Sequence, residues 1–176
     1  MIWLPILPWL GQRMIANKTV TWFVIVLVHV SVTIFFPYLL LSADIGFFTW
    51  ELGAFRLLGV VPIVVGGVAM VWSGWDLTFA GRGTPAPFDP PTMFVARRLY
   101  RFVRNPMYLG DLLVLVGVSL LFESLILSIY ALLMFCVFHL FVVVHEEPTL
   151  KRKFGESYEN YHKVVPRWIP ACRPYE

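Results

Sequence analysis

Apolar residues run along this chain in blocks long enough to cross a bilayer, separated by short polar stretches. A spanning helix needs roughly 20 mostly apolar residues. Val20 to Leu41 meets that requirement, interrupted only by His29 and a few hydroxyls. Leu57 to Ala80 meets it too, and Gly66, Gly67 and Gly74 give it a small-residue face suited to close helix contact. Pro106 to Val144 is apolar except at Asp111, Glu123, Ser124 and His139. It is too long for one span and predicts a helical hairpin turning at Glu123–Ser124, with a short first arm. The pattern predicts an all-α integral membrane fold of about four transmembrane helices. The stretch Met1 to Trp9, with two tryptophans and two prolines, reads as a fifth, interfacial or half-helix. It has neither the positive start nor the small-residue cleavage site of a signal peptide and is read as part of the mature chain.

Charge orients these spans. Lys and Arg number two before the first span, one in the loop 42–56, five in the loop 81–105, none at the hairpin turn and six after Val144. The positive-inside rule then places both termini and the 81–105 loop in the cytosol. Composition agrees with membrane residence. Only 14% of the 176 residues are charged, against about 25% in soluble domains. One unit, 1–176, is expected at this length, with N-terminal spans over 1–80 and a second half over 81–170 that carries the chemistry. Cys136 and Cys172 are not spaced as a metal or redox pair, and Cys136 reads as a small core residue.

The loop 81–105 and the tail share the cytosolic face, so candidate chemistry belongs between them. The loop begins Gly81-Arg-Gly-Thr-Pro-Ala-Pro-Phe-Asp-Pro-Pro91, a stiff proline-rich segment that reads either as a rigid connector or as a lid. At Arg104-Asn-Pro-Met-Tyr108, Pro106 suits the first helical position and Asn105 the cap. A helix start there favours an anion, and Arg104 adds a cation. The neighbouring arginines also suit lipid headgroups. The last span ends His139-Leu-Phe-Val-Val-Val-His-Glu-Glu147, with His139 and Glu146 on one face. Carboxylates at a membrane boundary are costly unless paired or solvated. The run is not the His-Glu-x-x-His zinc spacing, and no metal is expected. Phe154, Tyr158 and Tyr161 fall at helical spacing and read as packing residues that seal the cytosolic mouth.

These blocks resemble a known family. Arg104-Asn-Pro-Met-Tyr-Leu-Gly110, Glu146-Glu-Pro-Thr-Leu150, Phe154-Gly-Glu-Ser-Tyr-Glu-Asn-Tyr161 and Val165-Pro-Arg-Trp-Ile-Pro170 look like the isoprenylcysteine carboxyl methyltransferase and phospholipid methyltransferase superfamily. The resemblance implies a cytosolic S-adenosyl-L-methionine pocket, with Val95, Tyr100, Asn105, Pro106, Tyr108 and Glu146 as cofactor-binding positions. With that cofactor, Arg104 and the helix start are expected to hold the methionyl carboxylate and Tyr108 to line the sulfonium, and these two residues carry the expected catalytic duty. Asn105 stands where the family usually has histidine, and Phe141–Val144 where the prenylcysteine enzymes carry an arginine. The implied reaction is methylation of a lipophilic or lipid substrate, like isoprenylcysteine carboxyl O-methylation. The alternatives are N-methylation of a phospholipid, or S- or O-methylation of a small hydrophobic metabolite. A small membrane scaffold or transporter is the non-enzymatic alternative. Membrane lipids are the expected surroundings, and no feature points to a nucleic-acid or protein partner.

Overall fold

The polar break at Glu123–Ser124 turns the chain. The computed structural model describes residues 26–43, 49, 51–80 and 96–176, and every regular element among them is helical. Helix α1 runs Val26–Ala43. A tight 3-10 segment, Gly53–Gly59, leads into α2, Val60–Ala80. The hairpin follows as α3, Pro106–Leu121, and α4, Leu125–Phe141. A π-helical turn, Val142–Glu146, joins α4 to α5, Glu147–Phe154, and α6, Glu156–Val164, completes the set. The Met1–Trp9 segment, the first residues of the span expected from Val20, and the Gly81–Pro91 loop lie outside the described residues.

Three helices are long and apolar enough to cross a membrane: Val26–Ala43, Gly53–Asp76 and Leu125–Phe154. The fourth apolar helix, α3, has only 16 residues. At 1.5 Å per residue that is about 24 Å, shorter than the roughly 30 Å of bilayer hydrocarbon. Val61, Val64, Val68 and Val71 on α2 and Ile129, Leu132, Leu133 and Leu140 on α4 are exposed. Such apolar faces belong in lipid rather than water.

Reciprocal glycines set the spacing of α2 and α3. A Cβ on Gly66 would lie 2.5 Å from the Gly110 carbonyl oxygen, and one on Gly110 2.7 Å from that of Gly66. Seven residues along, Gly59 and Gly117 meet in the same way. Two antiparallel helices thus touch backbone to backbone at two heights, the close approach that small residues permit in membranes. The expected small-residue face is therefore corrected in phase. Gly66 is in the seam, whereas Gly67 points away, with nothing within 4 Å of its would-be Cβ.

The hairpin tip is fastened by hydrogen bonds. Ser124 caps α4 by accepting from Leu127 N–H. Glu123 adopts a positive φ of 54°, and its carboxylate accepts from the N–H groups of Leu52 and Gly53 at 2.9 Å each. That places an anion at the start of the 3-10 segment, where the helix dipole favours it. Cys136 does not pack in a core; it is exposed on α4, and both cysteines are free.

Candidate cofactor site

The site is built where α3 begins. Pro106 is the first residue of α3, as its missing N–H allows. Asn105 occupies the cap position, but its side chain does not cap. Its amide donates instead to the Arg167 carbonyl at 3.2 Å. The C-terminal tail wraps this region with further backbone bonds, Arg104 N–H to Pro166 O at 2.9 Å and Ala171 N–H to Phe102 O at 2.8 Å. Tyr161 donates its hydroxyl to the Tyr100 carbonyl at 2.6 Å.

A single carboxylate ties these pieces together, and it is Glu147. Its Oε1 accepts from Arg104 Nη1 and from Arg167 Nε, each at 2.7 Å, and its Oε2 accepts from Arg167 Nη2 at 2.9 Å. His162 Nε2 stands 3.5 Å away. The residue is buried, so these charge-assisted bonds offset a large desolvation cost. Glu147 thereby holds three elements together: the end of the α4 rod, the approach to α3 and the tail.

Glu146 faces elsewhere. Its carboxyl group hydrogen-bonds to the Tyr108 side chain. Tyr108 stacks on Phe138 with ring centroids 5.0 Å apart and meets Phe141 edge-on at 6.5 Å. Consecutive glutamates can serve different partners because adjacent side chains on a helix point about 100° apart, and the backbone between them is a π turn. Glu147 N–H bonds back five residues to Val142 O, the hallmark of a π turn, and such turns often sit at functional sites. His139, expected on one face with Glu146, accepts from Trp168 Nε1 at 3.1 Å instead.

The expected site residues thus meet, with one redistribution. Tyr100, Arg104, Asn105, Pro106, Tyr108 and Glu146 lie around the start of α3, while Val95 lies outside the described residues. Arg104 is engaged by Glu147, yet its Nε is buried without a hydrogen-bond partner. Glu146 Oε2 is buried without one too. A buried donor and a buried acceptor are therefore left open near the start of α3. That pair suits a ligand carrying both a carboxylate and hydroxyl or ammonium groups.

Tyr158, Tyr161 and Val165 form a buried cluster with Phe154, Leu150 and Tyr175 against it. The expected packing role of these aromatics holds, but on two helices rather than one, because Gly155, with φ of 52°, breaks the run. Burial first, and then the nearby Glu147 carboxylate, pushes the Tyr158 phenol up to about 12. Burial likewise raises the Tyr161 and Tyr100 phenols.

Several functional groups escaped the sequence. The Arg167–Glu147 pair and the His29–Asp111 pair join residues 20 and 82 apart. Asp76 on α2 holds Arg98 at 3.0 Å. The sequence signal for Asp111 and Asp76 was only a carboxylate inside an apolar run. Among the described residues, no group of three or more His, Cys, Asp or Glu side chains is placed to hold a metal ion.

The profile of the phospholipid methyltransferase family matches residues 54–157, more than half of the chain. The chain belongs to that family. The match spans α2, the α3 start and the Glu146–Glu147 pair, while Arg167 and the rest of the tail that closes on them lie beyond it. Among curated relatives, the protein-S-isoprenylcysteine O-methyltransferase of Schizosaccharomyces pombe is 32% identical over 78 residues, 44% of this chain and 33% of that protein. The nickel-cobalt-cadmium resistance protein NccN of Alcaligenes xylosoxydans xylosoxydans is 25% identical over 122 residues, 69% of this chain and 53% of that protein. The chain thus spans between a third and about half of the length of these relatives. No solved structure matches.

Proposed function

We propose that this member of the family is an S-adenosyl-L-methionine-dependent methyltransferase acting on a lipophilic substrate at the membrane. The observation that carries the reading is the pair of open buried atoms near the start of α3, Arg104 Nε and Glu146 Oε2, the second on the carboxyl group that Tyr108 bonds. In this reading the helix start and Arg104 hold the cofactor carboxylate. Glu146 accepts from the ribose hydroxyls or the ammonium group. Tyr108 presents a ring face to the sulfonium, as aromatic rings do to cations. Tyr100, Asn105, Pro106 and Val95 complete the binding wall. When bound, the cofactor supplies a methyl group whose leaving partner is a neutral thioether. The protein supplies mainly position and a dry site.

The reading includes four membrane passes, with α3 as the shortest, and places both termini and the 81–105 loop in the cytosol. The second half, 81–170, carries the catalytic site, and the soluble cofactor enters from that side. Two acceptor types are in view: the family name points to a phospholipid headgroup amine, and the fission-yeast relative to a prenylated cysteine.

The test is binding of S-adenosylmethionine to the purified chain in detergent, read by calorimetry. Wild type binds, and Glu146→Gln weakens binding at least tenfold, about 1.4 kcal/mol. Wild type without affinity would leave a membrane scaffold as the better reading, and full affinity in the variant would move the cofactor elsewhere.

A further inference from the structure

One polar pair inside the membrane is not used by this site. Asp111 lies on α3 with a fully buried side chain, and His29 of α1 places Nδ1 3.0 Å from its Oδ1 and 2.9 Å from its Oδ2. A carboxylate and an imidazole within spanning helices are costly, and such groups are kept for function far more often than for packing. An apolar pair of similar volume would join α1 to α3 at least as well. The geometry has a chemical direction. The carboxylate accepts the Nδ1 hydrogen, which fixes the tautomer and leaves the Nε2 lone pair open. No described residue bonds to Nε2, and the imidazole is 16% exposed where the carboxylate is not exposed at all.

The pair also lies beside the cofactor site. Asp111 follows Tyr108 by three residues and shares its helix face, about 4.5 Å further along the axis and away from the polar end. An acceptor whose tail lies in lipid would approach the methyl group from that side. We propose that the His29–Asp111 pair is the general base of this site, and hence that the methyl acceptor carries a proton on its nucleophile: a lipophilic amine, thiol or hydroxyl rather than a carboxylate. The inference rests on the methyltransferase reading above. In the step it describes, the acceptor's lone pair forms the new bond to the methyl carbon. The sulfur–carbon bond breaks and its electron pair stays on sulfur. The acceptor's proton passes to His29 Nε2, and Asp111 balances the imidazolium. A carboxylate acceptor would release no proton and need no base. His29 would be a catalytic residue and Asp111 a positioning residue.

Few other titratable groups face the pair. Tyr108 shares α3 and is bonded to Glu146. Tyr130 on α4 donates to the Val32 carbonyl at 3.1 Å. On α2 the only titratable side chain among the described positions is Asp76, which Arg98 holds at 3.0 Å.

The test uses the full chain in detergent with S-adenosylmethionine tritiated in its methyl group. Three probe acceptors are offered: phosphatidylethanolamine vesicles, octanethiol, and N-acetyl-S-farnesylcysteine as the carboxylate. The expected result is methylation of the amine or thiol, with His29→Gln and Asp111→Asn each slowing it by roughly 100-fold and cofactor affinity held within twofold of wild type. The acid limb of the pH–rate profile disappears in His29→Gln, which still donates to Asp111 but takes no proton. A structural role alone would leave that limb in place. A second readout needs no turnover: nitrogen-15 NMR of labelled histidine shows one ring protonated at Nδ1 only, missing in His29→Gln and altered in Asp111→Asn. Should no probe be turned over, this tautomer decides. Wild-type rates in the variants, methylation of the carboxylate probe alone, or a proton on Nε2 in place of Nδ1 would each overturn the inference while cofactor binding stands. Loss of cofactor binding in wild type would instead remove the methyltransferase reading and the inference with it. Should Asp111→Asn fail to fold, His29→Gln carries the comparison.

Discussion

The α2–α3 seam and the Glu147 clamp secure opposite sides of α3 by opposite means: the seam ties it to α2, the clamp ties its approach to the end of the α4 rod and the tail. The seam has no charge at its closest points, only the Gly59–Gly117 and Gly66–Gly110 backbone approaches with Ile63 and Met70 packed beside them. The clamp is all charge, with Arg104, Arg167 and His162 gathered around one carboxylate. The difference follows from the surroundings. In lipid, apolar side chains gain nothing by leaving an equally apolar solvent, so close packing of small residues must do the joining. At the polar end, water competes for every charge, and only a buried, multiply bonded pair is held firmly. The seam fixes distance; the clamp fixes which segments meet.

The largest expected effect breaks the clamp. Glu147→Ala leaves the largely buried Arg104 and the half-buried Arg167 without their shared partner, and loss of one member of a buried ion pair costs about 3–5 kcal/mol. Thermal unfolding in detergent would show it, and limited proteolysis would find the tail after Val164 released first. Next is the seam. Gly66→Ala forces a Cβ against the Gly110 carbonyl, where backbone cannot yield as a side chain would, and about 3 kcal/mol is expected. That loss should not change with salt, whereas the clamp's should shrink. A smaller, pH-driven effect sharpens the same contrast. Tyr158 titrates near 10.0 when free and is raised to about 12 in the fold. Its contribution is complete below pH 10 and is lost as pH rises toward 12. Tyrosinate absorbance should therefore report the tail loosening in that window with the seam intact. The smallest effect is at Gly67→Ala, whose Cβ meets nothing within 4 Å; stability should stay within about 0.5 kcal/mol of wild type.

Much of this contrast was legible in the sequence, and the failures have physical causes. The hairpin was readable because Glu123-Ser124 interrupts an otherwise unbroken apolar run, and the α3 start because Asn-Pro has few other uses. The phase of the glycines was not readable: Gly66 and Gly67 differ by one helical step, and only the partner helix tells which one is in contact. Glu146 and Glu147 were seen as a pair but not as two devices, since the π turn between them leaves no mark in residue type. Arg167 lies in the tail beyond any helical periodicity, and His29 is one histidine in a span whose partner lies 82 residues away. Local pattern reports faces and breaks; pairing across the fold needs the fold.

The shortness of α3 has a consequence for the bilayer itself. Its 16 residues reach about 24 Å, so in the four-pass reading proposed above a membrane of ordinary thickness is mismatched on that side by several ångströms. The membrane answers such a mismatch by thinning or by drawing its headgroups inward. Tyr108 lies level with Phe138, eight residues before Glu146 on the neighbouring rod. The headgroup layer therefore dips toward Asn105 beside a longer helix that stands proud of it. In the function proposed above, such a dimple would let water-level and acyl-level chemistry meet without either the cofactor or a lipid leaving its own phase.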